Sequence, residues 1–121
     1  MQLFATSSEE GNANGLGWVD ATVKRFSIKN TVQFKVPQTG WNSAEAIKET
    51  PLLQGMQASN EFYFVHAYYF SCNDPADEWM HTNHEIDFVS AVQKNNIFGV
   101  QFHPEKSHET GYKLLENFIA S

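Results

Sequence analysis

The sequence predicts an α/β domain with a mixed sheet and flanking helices, and three observations carry that expectation. Residues 62–70 form a run of apolar and aromatic side chains that reads as a strand buried on both faces. Two more short apolar runs, 86–93 and 97–102, are separated by the turn Lys94-Asn95-Asn96. The closing segment, 108–120, has helical spacing. Tyr112, Leu115, Phe118 and Ile119 are its expected buried stripe, widened by Leu114.

The remaining elements follow in chain order. Gln2 to about Thr6 reads as a short helix that the chain enters in mid-course, and the Asn- and Gly-rich stretch up to Gly17 reads as loop. Residues 18–28 have imperfect strand alternation. Lys29-Asn30 reads as a turn into a second strand, 32–36, which Pro37 ends. After the loop Gly40-Trp41-Asn42, Ser43 is placed to cap a short helix through Lys48. Pro51 to Met56 reads as a short turn or helix, and Ser71 to Met80 as a polar loop.

Composition narrows the function. With 41% hydrophobic residues, 121 residues suffice for one globular domain. The formal net charge of −6 disfavours a nucleic-acid surface. No apolar run has membrane-spanning length, so no membrane partner is expected and a cytoplasmic setting is. The single cysteine, Cys72, allows no internal disulfide and fits a reducing compartment.

The informative stretch is Gly99-Val100-Gln101-Phe102-His103-Pro104-Glu105-Lys106-Ser107. An apolar strand runs straight into a His, a Glu follows two positions later, and a helix begins. Strand ends and helix starts meet at the functional crevice of α/β sheets. Pro104 stiffens the turn between the two side chains. An imidazole oriented by a carboxylate can take a proton from a nucleophile and return it to a leaving amine, which is worth roughly 10²- to 10⁴-fold in rate. Taken alone, His-x-Glu is more often a solvated turn than a catalytic pair.

The surrounding residues raise its weight. Gly99 to Ser107 resembles the C-terminal signature of the class I glutamine amidotransferases, whose domain is flavodoxin-like. Four other segments are similar to the branch that serves imidazole glycerol phosphate synthase in histidine biosynthesis. They are Met1-Gln2-Leu3-Phe4 with Ser8-Glu9-Glu10-Gly11, Val36-Pro37 with Gly40-Trp41-Asn42, Phe62 to Tyr69, and Asp87 to Val92. The resemblance covers essentially all 121 residues.

The resemblance implies a Cys-His-Glu glutaminase. The Cys attacks the side-chain amide of glutamine, ammonia leaves, water cleaves the thioester, and the ammonia passes to a cyclase or synthase subunit. No cofactor and no metal are implied. Carried over, His103 is the general base and acid and Glu105 its orienting carboxylate. Gln2 and Glu10 contact substrate glutamine, and the backbone of Ala67 and Tyr68 holds its amino-acid end. The family's nucleophile sits in a Cys-Leu-Gly turn just ahead of the Met-Gln helix. Residues 1–121 are therefore expected to be the C-terminal portion of one amidotransferase domain with the nucleophile elbow missing, inactive alone. Such a portion is expected to self-associate or to be marginally stable as a monomer. Cys72, without an elbow of glycines, is not expected to replace the nucleophile.

Some positions depart from the pattern. Gln38 and Thr39 stand where the branch usually has His and an apolar residue. Ala67 replaces Ser or Thr. Ser107-His108 is similar to a related branch that supplies ammonia for amidating surface-polysaccharide sugars, so that acceptor stays open as an alternative. A non-catalytic fragment that only docks to a partner is the other alternative.

Other features are weighed against plainer readings. His81 and His84 have a metal-like spacing but no third ligand in the sequence nearby, and read as loop. His66 reads equally as a satisfied core residue or as one that shapes the pocket. Trp41 is either core or a partner contact. Gly11 to Gly17 lacks the Lys-Ser/Thr of a phosphate loop. The aromatic cluster Phe62, Phe64, Tyr68 and Phe70 reads as core rather than as a base-stacking platform.

Overall fold

The computed structural model describes residues 1–121 as one nine-stranded sheet with a single α-helix. In chain order the strands are β1 (Ser7–Ser8), β2 (Ala13–Asn14), β3 (Ala21–Arg25), β4 (Gln38–Ala46), β5 (Ser59–His66), β6 (Tyr68–Cys72), β7 (Glu78–His84), β8 (Ile86–Lys94) and β9 (Ile97–Val100), followed by α1 (His108–Ala120). Across the sheet the order is β2-β1-β3-β6-β8-β7-β4-β5, and β9 pairs with β8. The sheet is mixed: β1 runs parallel to β3 and every other pair is antiparallel.

The strand expected to be buried on both faces is not residues 62–70. That run breaks at Ala67. β5 pairs only with β4, and its burial alternates: Phe62, Phe64 and His66 turn inward while Val65 is exposed. The doubly buried strand is β8. Its Phe88 and Ala91 enter one core and its Val89 and Val92 the other. The larger core joins Phe62, Phe64, Trp79, Met80, Phe88 and Phe102, and the smaller joins Val19, Val23, Phe70, Val89 and Val92. A single residue, Ala67, joins β5 at the end of the sheet order to β6 near its middle. The sheet therefore curls, and the chain turns a corner there as strands do when they pass between sheet layers.

Other expectations are corrected. No strand forms at 32–36. The Asn30 side chain accepts the Gln33 N–H (3.2 Å), and the Glu85 carboxylate accepts the N–H groups of Lys29 and Asn30 (2.9 Å each), so the segment closes as a turn. The 18–28 strand shortens to β3. Residues 43–48 are not a helix. Gln38 to Glu45 pairs with β5 from His66 back to Ser59, and that ladder overrides the capping pattern at Ser43. The 71–80 loop shrinks because β6 extends to Cys72 and β7 starts at Glu78. His81 and His84 lie on β7, not in a loop. The N-terminal helix is one 3-10 turn, Gln2–Phe4, and the Pro51 turn is another, Pro51–Leu53.

Helix α1 forms where expected but faces otherwise. Gly111 and Leu114 are its buried residues, whereas Tyr112, Leu115, Phe118 and Ile119 are exposed. Asn117 ties the helix down by donating to the carbonyls of Leu52 (2.7 Å) and Gln54 (2.9 Å). The spacing revealed an apolar stripe, but this chain puts nothing over it. No helix is long and apolar enough to cross a membrane.

Candidate active site

The site is assembled where β9 ends. Gln101 N–H bonds to Ser90 O (2.8 Å), and Phe102 is buried, with its ring stacked on Phe62 at 3.8 Å between centroids. The next residue, His103, is anchored through its backbone: its N–H donates to Tyr63 O on β5 (2.9 Å). Ser107, fully buried, completes the clamp. Its hydroxyl donates to His103 O (2.6 Å) and accepts from Tyr63 N–H (2.9 Å). Pro104–Lys106 forms a 3-10 turn between them. The His-Pro-Glu turn is thus fastened to β5 at both ends.

The side chains of this turn meet. His103 Nδ1 lies 2.8 Å from Glu105 Oε1. A carboxylate only accepts, so Nδ1 carries the proton and Nε2 presents its lone pair. Nε2 has no partner in the chain. Slight burial pulls the Glu105 carboxyl upward, but hydrogen bonds from its own backbone N–H and from His103, aided by the charges of His103 and Lys106, hold it below the usual range. Glu105 is therefore ionised at neutral pH and suited to orient an imidazole and to stabilise its charged form.

His103 opens onto a cleft of about 560 Å³. Gln2, Glu10, Ala67 and Tyr68 line the same cleft, so the residues named from the sequence lie together, with Glu105 behind His103. Gln2 Nε2 donates to Tyr68 O (3.2 Å) and Gln101 Oε1 (3.1 Å). Glu10 stands exposed on the 3-10 turn Glu10–Asn12. The Ala67 carbonyl accepts from Phe26 N–H (3.1 Å), while the Ala67 N–H donates to no carbonyl of the chain. The cleft thus combines a backbone donor, a carboxylate, a side-chain amide and an imidazole base. That set suits a zwitterionic amide substrate.

Other places carry less chemistry. A second cavity, about 510 Å³, opens between the end of β4 and the Pro51 turn. Its one cation, Lys48, is spent on the carbonyls of Ala76 (2.5 Å) and Gln93 (2.9 Å). Cys72 is the last residue of β6 rather than part of a loop. Burial, with Glu78, Asp77 and Asp74 nearby, pushes its thiol up to about 12, so it is protonated and unreactive at neutral pH. His81 is paired with Glu78 (2.7 Å) and His84 with Lys35 O (2.7 Å), and no cluster of three or more metal-ligating side chains forms. Trp41 is about half exposed and stacked on His108 at 5.3 Å, and is not a core residue.

Sequence reasoning missed two supports of the site. The Ser107 clamp joins residues 44 positions apart, which no local pattern reports. The buried Gln38–His66 pair depends on β4 being a strand, where a loop and a helix were expected.

A family model described as "Glutamine amidotransferase class-I" matches residues 1–121. Among curated relatives, the HisH subunit of imidazole glycerol phosphate synthase from Leptospira borgpetersenii is 44% identical over 121 residues, covering 99% of this chain and 59% of that protein. HisH 2 of Methanococcus maripaludis is 47% identical over 119 residues, covering 98% and 58%. The chain thus spans less than two thirds of the length of these relatives. Among solved structures, a Thermoplasma acidophilum protein described as part of a GMP synthase superposes with a TM-score of 0.63 at 21% identity, covering 83% of this chain and 47% of that one. A Thermotoga maritima glutamine amidotransferase gives 0.55 at 16% identity, covering 83% and 40%. At such identities these two likenesses speak for the fold.

Proposed function

Since this chain belongs to the class-I glutamine amidotransferases, we propose that it is the C-terminal, base-bearing portion of a glutaminase domain that supplies ammonia to the cyclase subunit of imidazole glycerol phosphate synthase in the cytoplasm. The observation that carries this reading is the His103–Glu105 pair at the mouth of a cleft shared by Gln2, Glu10, Ala67 and Tyr68. The identity of 44–47% to HisH proteins supports the choice of acceptor.

In this reading glutamine lies in the cleft with its carboxylate on the Ala67–Tyr68 backbone and its ammonium toward Glu10. A thiol supplied by the rest of the domain gives its proton to His103 Nε2, and the thiolate attacks the amide carbon. The C–N bond breaks, and the nitrogen leaves as ammonia with the proton from Nε2. Water, deprotonated by the same nitrogen, then attacks the thioester; the C–S bond breaks, glutamate leaves, and the departing sulfur takes the proton back from Nε2. Glu105 keeps the ring oriented and supports its charge at each proton transfer. The raised thiol of Cys72, in the sheet, supports the part of this reading in which the nucleophile comes from the rest of the domain and residues 1–121 are inactive alone.

The test joins this chain to the complementary region of the Leptospira borgpetersenii relative and adds that organism's cyclase subunit. Glutamine-dependent synthesis should appear in the joined protein and be absent from residues 1–121. No activity in a folded chimaera that binds the cyclase would sink the proposal. The second reading, ammonia supply for sugar amidation, draws on Ser107-His108, with the departures at Gln38, Thr39 and Ala67 leaving the acceptor open. A joined protein that hydrolyses glutamine but neither binds nor serves the cyclase would favour it.

A further inference from the structure

We propose that His66, in the wall of the cleft, is its positioning residue, fixing the Tyr68 carbonyl that holds Gln2 in place. The inference rests on the glutamine-site reading above and adds to it a residue that acts through the backbone.

His66 is 7% exposed and sits at the corner where β5 gives way to β6. Its ring is boxed by Phe26, Phe64 and Phe88, at 5.2, 5.6 and 5.2 Å between centroids, which leaves it little rotamer freedom. Nδ1 is 2.7 Å from Tyr68 O. A carbonyl only accepts, so Nδ1 bears the proton. Nε2 is 2.8 Å from Oε1 of Gln38, the residue directly across the ladder. In the neutral ring Nε2 can only accept once Nδ1 donates, so the Gln38 amide is turned over, its NH2 taking the place of Oε1. Burial favours that neutral ring.

With the amide turned over, the bonds form a directed chain: Gln38 donates to His66, His66 donates to Tyr68 O, and the same carbonyl receives Gln2 Nε2–H. The neighbouring Ala67 carbonyl is held by Phe26 N–H. The backbone that lines the cleft is therefore pinned at two successive carbonyls. A site boxed by three phenylalanines would accept a plain hydrocarbon side chain without the desolvation cost of two polar groups. The polar pair delivers its one outward bond to the cleft backbone, which is what a positioning role requires.

The test uses the intact 121-residue chain. The double variant Gln38→Leu/His66→Leu removes both polar partners together, so no orphan is left buried and the fold is kept. His66→Asn retains an N–H near the position of Nδ1. Two readouts are taken by NMR: hydrogen exchange of the Gln2 side-chain amide without ligand, and L-glutamine affinity by titration. In the double variant the Gln2 amide should exchange faster and the dissociation constant should rise roughly tenfold, the scale of one lost hydrogen bond. His66→Asn should stay within about threefold of the unaltered chain on both. Unchanged Gln2 exchange and unchanged affinity in a folded double variant would overturn the proposal. If the unaltered chain binds no glutamine, the substrate reading falls, and the Gln2 amide alone decides the role of His66.

Discussion

Gly111 lies so close to Pro104 that a β-carbon built on it would stand 1.8 Å from the Pro104 carbonyl oxygen. Helix α1 is thereby seated directly on the His-Pro-Glu turn, with Gly111 N–H bonded to Ser107 O (3.2 Å).

The contact sets two effects of Gly111→Ala against each other. Alanine favours an exposed helix by about 1 kcal/mol. Here the new methyl meets rigid backbone, and overpacking of this kind costs about 3 kcal/mol. The clash wins, so the variant should unfold at lower denaturant and lose the Ser107 clamp on His103. A midpoint equal to or above that of the unaltered chain would show that α1 is not seated as described.

In the joined, active protein, His103→Ala should lower glutamine-driven synthesis roughly 10³-fold, and Glu105→Gln roughly tenfold. Glu105 is more than half exposed, so water replaces part of its support. Synthesis from added ammonium salt should survive both changes. Parallel loss of both activities would mark the pair as structural.

Burial lowers His66 to about 4, the Tyr68 carbonyl acting in the opposite direction and His84 and His103 adding to the lowering. The unfolded chain takes up this proton near pH 6.5 and the folded chain only near 4, so between those values the unfolded state binds more protons. Stability should therefore fall as pH drops from 6.5 to 4, by about 3 kcal/mol from this residue. Above 6.5 it contributes no slope. Denaturation at several pH values checks this against the Gln38→Leu/His66→Leu variant, which should have the shallower slope through the window; equal slopes would refute the assignment.

The exposed stripe Tyr112, Leu115, Phe118 and Ile119 gives the isolated chain an adhesive face. It should self-associate through that face at micromolar concentration. Phe118→Glu with Ile119→Glu should shift the sedimentation pattern to monomer without lowering the denaturation midpoint. Monomer alone in the unaltered chain, at every concentration, would rule this out.

The mixed sheet and the grouping of the candidate residues were legible in the sequence, while several individual elements were not. His103 and Glu105 are two positions apart after an apolar strand, so local order alone brings them together. β8 and β9 are short apolar strands in sequence and α1 has a strong period, whereas β7 was read as loop because its segment is polar. β4 was misread because Ser43 and Glu45 imitate a helix cap, and only pairing with β5 makes Gln38–Ala46 a strand. The burial of α1 was misread because periodicity identifies an apolar face but not whether the chain covers it. His66 stayed ambiguous because its partner, Gln38, lies 28 residues away on that misread strand.

The one-residue corner at Ala67 bears on how such a chain can vary over generations. Even-numbered side chains Phe62, Phe64 and His66 serve one core on β5, and even-numbered Phe70 serves the other on β6. Adding or deleting one residue there would turn every side chain on one flank to the wrong face. It would send Tyr69 where Phe70 belongs and lift the cleft backbone off His66. An exposed position such as Val65 is open to substitution, whereas insertions and deletions between Phe62 and Cys72 are not.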